Sequence, residues 1–224
     1  MSETARKIIV ADDHPLFREA LSLALNTALD GAEIVQTGDM AGLEQSAQTH
    51  ANADLVLLDL HMPGVQGFSA LIYLRAHHPE LPVCVISANN NPVVIQRAMD
   101  HGAAAFIHKS ASVDTIRDAL QSVLAGNLWN PNEGQMNETT QADELDTAER
   151  LSELTPQQFR VLMMVAEGLL NKQIAYDLAI SEATVKAHMT AIFRKLGVTN
   201  RTQAVLLAQK LAVDPPEAGR EGFL

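Results

Sequence analysis

Five polar side chains recur at one kind of place in the first half of the chain. Asp12 and Asp13 follow the apolar run 8–11, Asp59 closes 55–58, Ser87 closes 83–86, and Lys109 follows 104–107. Carboxylates gathered at one spot repel one another unless a cation neutralises them. An all-oxygen donor set suits a hard ion, and Mg²⁺ is the natural occupant. A carboxylate with such a metal on one side and a lysine ammonium on the other can act as a nucleophile towards a phosphoryl group.

That chemistry requires a fold that brings the five residues together. The apolar runs 8–11, 34–37, 55–58, 83–86 and 104–107 are short and apolar at consecutive positions, as for strands buried on both faces. Between them, 15–25, 42–48, 68–76, 93–100 and 113–124 have helical spacing, with Ile116, Leu120 and Leu124 at four-residue steps. Strands alternating with helices predict an α/β, doubly wound, five-stranded parallel sheet. In that topology several strands present their carboxyl ends at one crevice.

Residues 151–213 carry helical patterns only. Thr155, Pro156 and Gln158 form a capping box with proline at the first helical position, and Gly168 stops that helix. A short helix over 171–178, a third capped by Ser181 and ending at Gly197, and a fourth over 202–211 predict a small four-helix, helix-turn-helix domain. On the third helix Val185, Met189, Ile192 and Leu196 make the apolar face. Ala183, Lys186, Ala187, Thr190, Arg194 and Lys195 lie largely on the other side, a small, polar and basic surface suited to a DNA major groove. From periodicity alone, a solvated amphipathic helix is the better reading.

The net charge of −11 and pI of about 5.1 argue against nucleic acid only if the charge is evenly spread. It is not. Segments 1–125, 126–150 and 214–224 are acidic, whereas 151–213 holds seven basic against four acidic side chains. An apolar content of 47% excludes a chain disordered throughout. The single cysteine, Cys84, excludes an intrachain disulfide and reads as a small buried hydrophobe. The histidines show no paired metal-ligand spacing. No apolar run approaches the roughly 18 residues of a membrane helix, and 1–7 lack a signal-peptide pattern. A cytoplasmic protein with no membrane partner is expected.

Residues 1–125 resemble the receiver domain of bacterial two-component response regulators. The resemblance is carried by 11–18 (ADDHPLFR), by Asp59 within 57–64 (LLDLHMPG), and by Gly67, Ser87-Ala88 and Lys109. It implies a flavodoxin-like fold in which Asp59 accepts a phosphoryl group from a sensor histidine kinase. Asp12, Asp13, Asp59 and the backbone carbonyl of His61 would serve Mg²⁺, with Lys109 and Ser87 on the phosphoryl oxygens. Phe106 takes the position of the aromatic switch.

Residues 151–211 resemble a LuxR-type DNA-binding domain, on 154–156 (LTP), 165–169 (VAEGL), 171–175 (NKQIA), 180–188 (ISEATVKAH) and 195–204 (KLGVTNRTQA). Together the two identify the chain as similar to response regulators of the NarL/FixJ class. By this resemblance Lys186, Ala187 and Thr190 face bases, and Lys172, Thr184 and Arg201 contact the DNA backbone. His188 either packs beside the apolar face or touches a phosphate. Ala183 departs from the basic residue that many relatives carry.

The expected organisation is a receiver at 1–125, an acidic linker at 126–150, the DNA-binding domain at 151–213 and a flexible tail at 214–224. The expected function is a transcription regulator whose phosphorylation at Asp59 releases the recognition helix and promotes homodimer binding to promoter half-sites, with RNA polymerase as a further partner. It is not an enzyme apart from self-phosphotransfer and self-dephosphorylation. The rivals are a phosphohydrolase with an aspartate nucleophile and a module whose C-terminal helices bind protein. The stripe Ala204, Leu207, Ala208 and Leu211 serves either a dimer or the domain's own core.

Overall fold

Ten elements alternate strictly through the first part of the computed structural model, which describes residues 6–29, 31–131 and 142–213. They are β1 (Lys7–Ala11), α1 (Pro15–Ala28), β2 (Glu33–Thr37), α2 (Met40–Thr49), β3 (Leu55–Leu58), α3 (Ser69–His77), β4 (Val83–Ser87), α4 (Pro92–Asp100), β5 (Ala105–His108) and α5 (Val113–Leu124). The strands form one parallel sheet in the order β2-β1-β3-β4-β5. The doubly wound expectation holds.

Strand alternation divides the sheet's apolar side chains between two cores. Ile8, Val10, Leu55, Leu57, Cys84 and Ile86 face α1 and α5, where Leu21, Leu25, Ile116 and Leu120 meet them. Ile9, Ala11, Val56, Leu58, Val83 and Val85 face α2, α3 and α4. Burial pushes the Cys84 thiol up to about 12, in keeping with an inert core cysteine.

The second part contains α6 (Ala142–Ser152), α7 (Pro156–Ala166), α8 (Asn171–Asp177), α9 (Glu182–Leu196) and α10 (Arg201–Gln209). Thr155 and Gln158 form the expected capping box, Ser181 caps α9, Asn200 caps α10, and Gly197 ends α9 in the left-handed conformation at φ 68°. The second core is continuous with this domain. Phe159, Leu162, Ile174, Val185, Ile192, Ala204, Ala208 and Leu211 belong to the same cluster as Phe68 and Tyr73 of the receiver half. Of the two roles left open for the last helix's stripe, Ala204, Ala208 and Leu211 serve the domain's own core.

Both described ends of segment 126–150 pack against the rest of the chain. Trp129 donates its N–H to the Ala104 carbonyl and accepts from the Phe106 N–H, covering the open edge of β5. At the other end α6 starts inside the expected linker and buries Ala148 and Leu151. An acidic helix with few apolar residues reads as solvated until a neighbour covers its one apolar face; here α3 and α9 do so. The middle of the linker, 132–141, and the tail, 214–224, lie outside the described residues. Among the described residues no helix is long and apolar enough to cross a membrane.

Candidate functional site

Strand register builds the acidic crevice. The Asp59 N–H donates to the Ala11 carbonyl at 2.8 Å, and the Lys109 N–H donates to the Ser87 carbonyl at 2.8 Å, so the ends of β1, β3, β4 and β5 are level. Asp12, Asp13, His14 and Asp59 bring one ligand atom each to within 4.8 Å of one another. The Lys109 ammonium lies 2.7 Å from Asp12 Oδ2 and 2.8 Å from Asp59 Oδ2. It also sits 4.9 Å from the centre of the Phe17 ring. Ser87 is fully buried at the rim, its hydroxyl accepting from the Asn89 N–H.

Burial raises the Asp59 carboxyl above the ordinary carboxylate value. The Asp12 charge adds to this, against the hydrogen bond and charge of Lys109 and a smaller influence of the His61 backbone. Lys109 is also raised: burial works against its charge, but hydrogen bonds to Asp12 and Asp59 outweigh it. One ammonium thus serves two buried carboxylates, and Asp59 Oδ1 is buried with no hydrogen-bond partner. A buried, unpaired carboxylate oxygen beside two more aspartates is a place for a cation. The donor set therefore fits a hard divalent ion.

His14 is a member of this cluster that spacing did not single out. Its Nδ1 lies 2.6 Å from Asp13 Oδ1 and 3.3 Å from Asp12 Oδ1, while its backbone N–H donates to Asp12 Oδ1 at 2.8 Å. Asp12 is thereby a turn former as well as a site carboxylate. Phe106 is 1% exposed, its ring already inside the core. His108 links β5 to the loop after β4, its Nε2 lying 2.9 Å from the Ala88 carbonyl.

On the C-terminal domain, Lys186, Ala187, Thr190, Thr184, Arg194 and Lys172 are all exposed. The Thr190 hydroxyl donates to the Lys186 carbonyl of its own helix at 3.0 Å, and the Thr184 hydroxyl pairs with Ser181 at 2.8 Å. Two expected DNA-facing cations are engaged inside the domain. Lys195 Nζ donates to the Glu153 carbonyl and to Gln158 Oε1, each at 2.8 Å. Arg201 donates to the Val165 and Leu169 carbonyls at 3.2 and 2.6 Å, tying off the end of α7. His188 is partly buried.

The receiver half packs on α6, on the start of α7 and on the end of α10. Tyr73 and Phe159 meet with ring centres 5.2 Å apart, and His77 Nε2 lies 3.1 Å from the Leu154 carbonyl. Arg160 pairs with the buried Glu44. The base-facing positions Lys186, Ala187 and Thr190 of α9 are exposed in this arrangement. Apolar spacing cannot place one domain upon another, so this seam was invisible in the sequence.

Residues 8–121 match the family of response regulator receiver domains, and 152–208 match the luxR family of bacterial regulatory proteins. The chain belongs to the receiver–LuxR response regulators. It is 41% identical over 210 residues to the glycerol metabolism activator of Pseudomonas putida, covering 90% of this chain and 94% of that one. With the nitrate/nitrite response regulator protein NarL of Escherichia coli it shares 30% identity over 203 residues, covering 89% and 93%. Among solved structures, the RcsB response regulator in a complex with DNA superposes with a TM-score of 0.54 at 23% identity, covering 93% of this chain and all of that one. That likeness is one of fold. In this response regulator the acidic crevice is the receiver's, and α8 and α9 are the helix-turn-helix of its LuxR-type domain.

Proposed function

We propose that the chain is a transcription regulator, cytoplasmic in its site of action, switched by phosphoryl transfer from a sensor histidine kinase to Asp59. The observation that carries the proposal is the crevice itself: a buried carboxylate with one oxygen on Lys109 and the other unpaired. Asp13, Asp59 and the His61 carbonyl would hold Mg²⁺ directly, and Asp12 through water. When bound, the ion neutralises the carboxylates and the phosphoryl oxygens. An Asp59 oxygen bonds to phosphorus as the phosphorus–nitrogen bond of the donor phosphohistidine breaks, and the imidazole leaves. Lys109 and Ser87 take the phosphoryl oxygens, whose added charge of about −1.5 to −2 needs such partners. Water later releases phosphate at the same residue, so turnover is confined to Asp59 itself.

The output is promoter DNA binding, as a homodimer on two half-sites. Lys186, Ala187 and Thr190 read bases, with methyl groups of Ala187 and Thr190 suited to thymine. Lys172, Thr184 and Arg194 are likewise exposed and suit phosphates. Lys195 and Arg201 would reach DNA only by leaving their present acceptors.

Labelling with a small phosphodonor and Mg²⁺, followed by peptide mapping, tests the first half. Label is expected at Asp59 and absent from Asp59→Asn; label that survives in that variant overturns the assignment. Retardation of duplex DNA tests the second. Lys186→Ala is expected to weaken binding and lower the salt slope by about 0.9 if the lysine meets one phosphate. Unchanged binding would favour a protein partner for α9.

A further inference from the structure

One arginine gathers three separate parts of the chain. Arg97, in the last turn of α4, places its Nε 2.9 and 3.0 Å from the two carboxylate oxygens of Glu144 on α6. Its Nη1 donates to the Ala212 carbonyl and its Nη2 to the Lys210 carbonyl, both at 3.1 Å, just past the end of α10. Its guanidinium carbon lies 4.8 Å over the Phe68 ring, and the Phe68 N–H donates to the Leu211 carbonyl between those two at 3.0 Å. The side chains of Arg97 and Glu144 are 14% and 12% exposed. His101, one turn further on, places Nε2 2.8 Å from Glu144 Oε1.

The chemistry of this junction is specific to arginine. A planar fork with five N–H groups can serve a carboxylate and two carbonyls at once, whereas a lysine ammonium has three donors on a single atom. Carbonyls at a helix C-terminus lack internal partners and favour a cation. Gly67 makes room for the contact. It adopts φ +56°, and a Cβ there would stand 1.8 Å from the Leu211 carbonyl oxygen. None of these contacts involves the recognition face, where Lys186, Ala187 and Thr190 remain exposed.

We propose that Arg97 is the clasp of a closed state that holds the C-terminal domain by α6 and the end of α10, leaving the recognition face of α9 open. Control then lies in how the domain is tethered to its receiver, not in access to bases. The route from the phosphoacceptor is short in sequence. Ser87 ends β4, α4 follows it, and Arg97 lies on α4. Movement of Ser87 towards a phosphoryl group is transmitted to the clasp through this helix. This step rests on the proposed phosphorylation of Asp59; the clasp itself does not.

The test uses full-length protein and two readouts, the radius of gyration by small-angle scattering and affinity for a short duplex of arbitrary sequence at low salt. Without a phosphodonor, Arg97→Ala is expected to expand. Glu144→Gln is expected to expand less, and Arg97→Lys is expected to restore compactness only in part. Treatment with acetyl phosphate and Mg²⁺ is expected to expand the parent protein but to add little to Arg97→Ala. Affinity for the duplex is expected to change less than about threefold on opening, because the contacting cations are already exposed. An Arg97→Ala protein as compact as the parent overturns the clasp. Affinity that rises about tenfold or more shows that the receiver covers α9 in solution, and also overturns it. Labelling of Asp59 in Arg97→Ala, measured alongside, reports on receiver folding. Failure to label the parent would sink the phosphorylation reading while leaving the scattering comparison valid.

Discussion

Asp59 and Lys109 form an unequal match, one ammonium between two buried carboxylates. The Asp59 carboxyl is raised, first by burial, so the folded receiver without a metal holds a proton there more readily than the unfolded chain does. Stability from this residue is therefore greatest at low pH. It declines as pH rises from the ordinary value of 3.8 through the raised one. A divalent cation reverses the balance by favouring the carboxylate. Mg²⁺ at one hundred times its dissociation constant is expected to stabilise the receiver by about 2.7 kcal/mol. Thermal denaturation should show the gain near neutral pH and its loss on acidification, as protons compete for the ligands. Asp13→Asn is expected to remove most of it. The pattern of five residues in the sequence was sufficient to find this site. His14 escaped because a histidine beside two aspartates has no meaning until the turn folds its ring back onto them.

At the scale of elements, caps and periodicity carried the reading far. The strands and helices of the receiver lie within a few residues of their expected bounds, because each apolar run is closed by a polar or turn-forming residue. The last helix is shorter than its apolar spacing suggested. It ends at Gln209, and Leu211 is buried in the turn beyond. The joint between α8 and α9 holds Ala179 at φ 52°, the single non-glycine in the left-handed region among the described residues. A Cβ there costs about 1 kcal/mol. Ala179→Gly is thus expected to raise the denaturation midpoint of the C-terminal domain, read by circular dichroism, without changing the receiver's. A lowered midpoint would show that backbone entropy outweighs the relief of strain.

Across the whole molecule, two kinds of force close the seam. The apolar cluster runs unbroken from the sheet through Tyr73 and Phe159 to Leu211. The polar contacts across it include Arg160 with Glu44, and Arg97 and His101 with Glu144. Concentrated salt shortens the screening distance to about 3 Å at 1 M, yet leaves apolar burial in place. Scattering in 1 M NaCl is therefore expected to show loosening, not full opening; complete opening would mean that charge alone closes the molecule. Acid acts on one contact in particular. Burial would raise the Glu144 carboxyl, but hydrogen bonds from His101 and Arg97 outweigh it and hold the group below its ordinary value of 4.5. Its contribution to closure is fully present above that value and is lost as pH falls through the lowered one. Glu144→Gln is expected to remove this part of the acid-induced expansion.

The fold of each half and the acidic crevice could be read from residue types and spacing. These features arise from local propensity, from periodicity and from charges that share one strand end. The even spread of charge that the total of −11 implies was already false at the level of segments. Contacts between distant segments were decided only by the tertiary structure: the Arg97 clasp, the covered face of α6, the Trp129 edge pairing and the internal use of Lys195 and Arg201. A side chain's partner across such a seam depends on how two surfaces meet, and that is not a property of either stretch of sequence alone.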